Sequence, residues 1–388
     1  MPHYRSLGLL PRKRHTQFRN EDGGLYTEEL MSSEGFSEES ALLYHRHSPM
    51  AITAAETLEP APECWHDNVP VLPHHLRLHE IPPGGDPVGR RHLLLANEDV
   101  RISYVVADET SPLYRDAVGD ELVYVESGSA TLESVYGRLP VAEGDYVVIP
   151  THTTHRWVPH AGADSPVRML CVTTRRHVRI PARYLSTRGQ LLEGAPYSER
   201  DLRGPVEPIL EEDRDVPVIV RTAAGLTRYT YARHPFDVVG WDGCLYPFAL
   251  SIHDFEPIVG RIHQPPPVHQ TFAGEGFVVC SFVPRPFDFG RDAVPVPYAH
   301  ANVDSDEVLF YVGGDFMSRA GSGIGQGSVS LHPSGFVHGP QPGSVERSLG
   351  KPATDELAVM VDTFRPLRLS ATAAEIEDSA YPWTWARP

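Results

Sequence analysis

At 388 residues, with 41% hydrophobic and 22% charged residues, the chain is long enough to bury a sizeable core and too apolar to be disordered. The net charge of −17 argues against a phosphate-backbone partner, and Arg12-Lys13-Arg14 is a short solvated run. No apolar stretch approaches the ~18 residues that span a bilayer. Met1-Pro-His-Tyr-Arg5 lacks the apolar core of a secretory signal. The expectation is a cytoplasmic protein with neither a nucleic-acid nor a membrane partner. Cys64, Cys171, Cys244 and Cys280 are far apart and form no CxxC pair, so they are expected to be reduced and mostly buried.

In chain order, Thr27–Leu30 reads as a short helix. Strand patterns follow at His92–Leu95, Val100–Val106, Glu121–Val125, Ala130–Ser134, Tyr146–Ile149, Arg168–Thr173, Val218–Thr222, Gly276–Phe282, Val308–Val312 and Gly327–Leu331. Ala371–Glu377 closes the series as a second short helix. The 37 prolines and 32 glycines punctuate these runs throughout, as turns do in an all-β protein.

Two stretches repeat each other. The first is Glu121-Leu-Val-Tyr-Val-Glu-Ser-Gly128, followed by Gly144-Asp-Tyr-Val-Val-Ile-Pro150-Thr-His152-Thr-Thr-His155. The second is Glu307-Val-Leu-Phe-Tyr-Val-Gly-Gly314, followed by Gly327-Ser-Val-Ser-Leu-His332-Pro333-Ser-Gly335-Phe-Val-His338. This pairing resembles the paired motifs of the cupin superfamily, whose members are double-sheet jelly rolls. The second copy matches Gly-x5-Pro-x-Gly-x-x-His in full, and the first carries His152 in place of the glycine. The expected architecture is a bicupin of two jelly-roll lobes with few short helices. Residues 1–205 would form an N-terminal lobe and residues 206–388 a C-terminal catalytic lobe, with the boundary in the segment 199–216.

In the C-terminal copy, His300, Glu307 and His338 can form a two-His-one-carboxylate set. Such a set suits Fe(II) and leaves one face of the ion open. Asp306 is the alternative carboxylate, but strand alternation turns Asp306 and Glu307 to opposite faces. His332, six residues before His338, is expected near the same cavity, either toward substrate or orienting a ligand. His263, in His263-Gln-Pro-Pro-Pro, is on its own residues a loop histidine. The N-terminal copy keeps Glu121 and His155 but has no histidine in residues 114–120, so it reads as a lapsed metal site with a scaffold role.

Further segments make the resemblance specific. They are Leu25-Tyr-Thr-Glu-Glu-Leu-Met, Gly119-Asp-Glu-Leu, Asp237-Val-Val-Gly-Trp241, His263-Gln-Pro-Pro-Pro, Pro297-Tyr-Ala-His300 and His338-Gly-Pro340. In this order they resemble the homogentisate 1,2-dioxygenases, in a shorter bacterial form. The resemblance implies a mononuclear Fe(II) enzyme that opens the ring of homogentisate with O2 to give 4-maleylacetoacetate, a step of tyrosine and phenylalanine catabolism. It maps the iron ligands onto His300, Glu307 and His338. It maps the histidine that meets the substrate hydroxyl onto His263, and a further active-site histidine onto His332. It also implies a homo-oligomer, a trimer or a hexamer. The chain departs from the family in three places. The interval from His300 to Glu307 is one residue longer, Ala301 replaces a basic residue, and Phe316 stands where a tyrosine helps hold the substrate carboxylate. Tyr311, Arg261 or Arg319 could replace that tyrosine, and another hydroquinone or aminophenol acid is the alternative substrate. A bicupin isomerase or a non-catalytic binding protein is the reading from a different class.

Overall fold

The computed structural model describes residues 3–60, 62–160 and 166–386. All ten expected strands form, each within two residues of its expected ends. The C-terminal helix forms at Ala371–Glu375, started by the Ser370 side chain, which accepts from the amide of Ala373. The first expected helix does not form. Thr27–Ser32 is a strand paired antiparallel with Ser40–His45. Glu-Glu-Leu-Met is good local helix sequence, but pairing and half-burial of the segment outweigh a propensity of a few tenths of a kcal/mol per residue.

The first jelly roll lies between two sheets. In the nine-stranded sheet, Glu121–Ser127 is flanked by Asp145–Ile149 and Val167–Thr174. In the seven-stranded sheet, Ser129–Ser134, His155–Pro159 and Leu113–Asp116 are consecutive neighbours. Val123, Val125, Leu132, Val147, Trp157 and Met169 fill the interior between them. The second jelly roll is built on a six-stranded sheet in which Asp306–Gly313 pairs with Ser328–His332 and Leu357–Thr363.

The central strands of the two lobes are buried on both faces, because the lobes pack sheet against sheet. Side-chain alternation sends Val123 and Val125 into the first barrel and Leu122 and Tyr124 out to the interface. Tyr104 and Tyr124 meet Phe310 there, each with ring centres 6.2 Å apart, and the Tyr146 hydroxyl bonds Ser281 Oγ at 2.8 Å. The lobes also trade strands. His74–Arg77 adds to the edge of the six-stranded sheet, and Arg368–Ser370 joins the nine-stranded one. The sheets therefore do not divide at residue 205, although the chain between Leu202–Arg203 and Val216–Thr222 has no strand.

No disulfide forms among the described residues. Cys171 and Cys280 are buried, Cys244 is half-buried and Cys64 is exposed. No helix of the described residues is long and apolar enough to cross a membrane.

Candidate metal centre

Glu307 and Asp306 are neighbours on one strand and point to opposite faces. Asp306 accepts from the amides of Ser334 and Leu367, both at 2.8 Å, so its two oxygens fasten a turn and a following segment. Glu307 points into the second barrel and meets three imidazoles. His332 Nδ1 is 2.9 Å from Oε1, His338 Nε2 is 3.4 Å from Oε1, and His300 Nε2 is 3.5 Å from Oε2. Residues 301–305 form no strand, so the extra residue between His300 and Glu307 is taken up in a bend rather than in a bulge.

Local backbone sets the angles of the ligand side chains. His300 and His338 bridge each other antiparallel, with both amide-to-carbonyl bonds made at 2.8 and 2.9 Å. Gly335, at φ +83°, supplies the left-handed residue that turns the chain from Pro333 toward His338. His152, its counterpart in the first lobe, adopts φ +69° without being glycine. That shared conformation confirms the repeat read from the sequence.

The ring nitrogens explain what the cluster can hold. His300 Nδ1 lies 3.1 Å from the carbonyl of Tyr298, and His338 Nδ1 lies 3.3 Å from the carbonyl of Phe336. A neutral imidazole that donates from Nδ1 has an acceptor lone pair at Nε2. Both Nε2 atoms therefore turn lone pairs toward a carboxylate, which is also an acceptor. His338 Nε2 is buried and has no hydrogen-bond partner among the described residues. Three converging acceptors are stable only around a cation, and the three ligand atoms lie within 4.8 Å of one another. The donor set fits a divalent first-row metal.

Around Glu307, burial alone would raise its pKa, but the three surrounding imidazoles hold it well below the usual carboxylate range. His332 is committed at both nitrogens, with Nε2 2.9 Å from the Tyr381 hydroxyl. Burial, reinforced by the charge of Arg319, pushes His332 down to about 3, so its ring is neutral. Trp385 closes one side, donating to the Gly339 carbonyl at 3.0 Å and meeting His332 edge-on.

Arg319 is 6% exposed. Its Nε donates to the Tyr311 hydroxyl at 2.9 Å and its Nη1 to the Gly339 carbonyl at 2.7 Å. No carboxylate lies within 4.0 Å of it among the described residues. Tyr311 is fully buried and also meets Ser330 Oγ at 3.2 Å, and Phe316 packs edge-on against its ring.

The structure thus gathers His300, Glu307, His332 and His338, and places Tyr311 on the Glu307 strand with Phe316 packed against its ring. It does not bring His263 into the cluster. That side chain is 56% exposed and lies 3.5 Å from Asp288, against Tyr298 on the rim beside His300. Sequence reasoning missed Tyr381 and Trp385, which arrive from a distant segment and carry no spacing signal. A second His/Asp/Glu group, Glu211, Asp213 and His234, lies elsewhere. There His234 Nδ1 accepts from the Phe236 amide, which puts the ring proton on Nε2 toward Glu211 and leaves no lone pair for an ion.

A two-lobed jelly roll with two histidines and a glutamate converging inside one barrel defines the cupin metalloprotein class. Residues 101–173 match the family described as Cupin domain. A Saccharolobus solfataricus protein named "Putative dioxygenase SSO1533" is 41% identical over 99% of both chains. The homogentisate 1,2-dioxygenase of Emericella nidulans is 24% identical, covering 79% of this chain and 68% of its own. That of Bradyrhizobium diazoefficiens is 25% identical, covering 67% of this chain and 59% of its own. The chain belongs to the cupin dioxygenase family.

Proposed function

We propose that the protein is an Fe(II)-dependent dioxygenase that opens the ring of a hydroquinone acid with O2, with homogentisate as substrate and 4-maleylacetoacetate as product. The observation that carries this reading is the convergence of His300 Nε2, His338 Nε2 and a Glu307 oxygen with no proton donor between the acceptors. These three residues would hold the metal. Bound Fe(II) would polarise a ring hydroxyl and relay electron density from the ring to O2.

The chain's own residues then bind, orient and exclude water. Tyr381 and His332 fix the position of Glu307 through a continuous hydrogen-bonded line. Trp385, packed against Phe336 and His332, would put apolar surface beside the metal. Arg319, buried without a carboxylate partner, would pair with the substrate's carboxylate, the task that Phe316 cannot perform for want of a hydroxyl. His263 would take the ring-hydroxyl proton, which requires the rim segment that carries it to turn inward over Tyr298. The homo-oligomer implied by the resemblance, a trimer or a hexamer, belongs to the same proposal.

Phe316 also supports a second reading, in which the chemistry is retained and the substrate is another hydroquinone or aminophenol acid. One experiment separates the two. Protein purified without oxygen and loaded with Fe(II) is mixed with homogentisate, and O2 uptake and ultraviolet absorbance are followed. Rapid uptake with a ring-opened chromophore, lost in His338→Ala, supports homogentisate. One bound iron with no turnover rejects that substrate and moves the search to the acid panel. No bound iron rejects the site.

A further inference from the structure

The strand registers let the two barrels be compared atom for atom. Glu307 pairs across the sheet with His332, and Glu121 pairs with Ile149. His338 and His155 each follow six residues later. His300 bridges His338 antiparallel, and Tyr114 pairs antiparallel with His155 in the same way. Each of these first residues stands seven before its glutamate. The N-terminal counterpart of His300, Glu307 and His338 is therefore Tyr114, Glu121 and His155.

His155 is oriented like the C-terminal pair. Its Nδ1 lies 3.0 Å from the carbonyl of Thr153, two residues back, as in His300 and His338. Its Nε2 is buried and has no hydrogen-bond partner among the described residues. The carboxylate of Glu121 is also fully buried and makes no hydrogen bond of good geometry. One cation faces that carboxylate. The guanidinium of Arg91 enters this barrel with its Nε on the Pro87 carbonyl at 2.7 Å and its Nη2 2.7 Å from Glu121 Oε2. The Arg91 side chain is 12% exposed and that of Glu121 2%. The other nearby cation, Arg221, is already paired with Asp116 at 2.7 Å.

We infer that Arg91 is the resident cation of the N-terminal barrel, held where the sister site would hold a metal, and that Tyr114, Glu121 and His155 mark a latent site for a divalent first-row ion. A guanidinium against Glu121 neutralises the one charged ligand and repels a second cation at contact range. Tyr114 removes one imidazole as well. The lobe thereby keeps a charged group at its centre without any dependence on metal supply. The comparison rests on the reading of His300, Glu307 and His338 as ligands, so the test reads each barrel separately.

The measurement is metal content per chain after loading with Fe(II), Co(II) or Zn(II) and gel filtration. Wild type should hold one equivalent and His338→Ala none. The double variant Arg91→Ala/Tyr114→His should gain one equivalent, and should gain it in the His338→Ala background too. A folded double variant with no gain overturns the inference. So does metal that survives His338→Ala and disappears on His155→Ala. Metal that survives both single variants counts against the C-terminal ligand assignment instead, and the gain in the double variant still decides the role of Arg91. Should that variant not fold, Glu121→Gln in the wild-type chain gives an independent reading. Its melting temperature should fall by the same amount with and without added metal, because the lost partner is an arginine. A fall seen only with metal present would overturn the proposal.

Discussion

The Tyr381 hydroxyl meets His332 Nε2 at 2.9 Å, while the other nitrogen of the same ring meets Glu307. A tyrosine in the last short helix, Tyr381–Ala386, therefore sets the orientation of the central carboxylate. Tyr381→Phe leaves the buried His332 Nε2 without a partner, at a cost of about 1–3 kcal/mol. The expected result is a melting temperature lower by several degrees and a metal affinity weaker by about tenfold, read by calorimetry and metal titration. An unchanged affinity would mean that His332 needs no support from behind.

The two adjacent carboxylates are expected to fail in opposite ways. Glu307→Gln should abolish metal binding with the fold intact. Asp306→Asn should retain one metal but lose about 1–3 kcal/mol of stability, since one of its two amide contacts loses its acceptor. Chemical denaturation beside metal analysis checks both. The reverse pattern would move the ligand to Asp306.

Arg319→Met keeps much of the volume and removes the charge. If the guanidinium holds a substrate carboxylate, KM for an acidic hydroquinone should rise about 10–100-fold, as loss of a charge-assisted bond worth ~1.5–3 kcal/mol requires. KM for a neutral hydroquinone should stay where it was. Equal loss on both substrates would reduce Arg319 to a packing role.

His45 lies between Asp237, at 2.6 Å, and Glu29, at 2.9 Å, with its side chain 3% exposed. Burial would lower its pKa, but the hydrogen bonds to Asp237 and then Glu29 outweigh it and raise the ring to about 9. A group raised in the folded state contributes its full stability below its unfolded value of ~6.5, and the contribution disappears as pH rises through about 9. Its size is on the order of 3 kcal/mol. Unfolding free energy should therefore decline between about pH 6.5 and 9, and His45→Gln should be less stable at pH 6 and flatter across that window. A wild-type profile that is flat there would refute the assignment.

The repeat was legible because both its periods are short. Alternation along Glu121–Ser127 and Asp306–Gly313 fixed the faces, and the six-residue step from His332 to His338 fixed the last ligand. His300, Glu307 and His338 could be found that way because their spacing is local. Arg91, Tyr381 and Trp385 could not, since each reaches its barrel from a segment whose own pattern says nothing of the destination. Thr27–Leu30 reads as a helix for the same reason. The strand Thr27–Ser32 owes its identity to Ser40–His45, not to its own residues.

The exchanged strands bear on how the chain comes into being. Ser370 Oγ bonds the carbonyl of Leu93, 277 residues away, and His74–Arg77 waits for Ser328–His332 before it has a neighbour. On the ribosome, the first barrel is left with an open flank until Arg368–Ser370 has emerged. Contacts of such long sequence separation are slow to close. Neither half is then a natural unit for separate expression, and a growing chain would carry an unpaired strand edge from His74–Arg77 until Ser328–His332 is made.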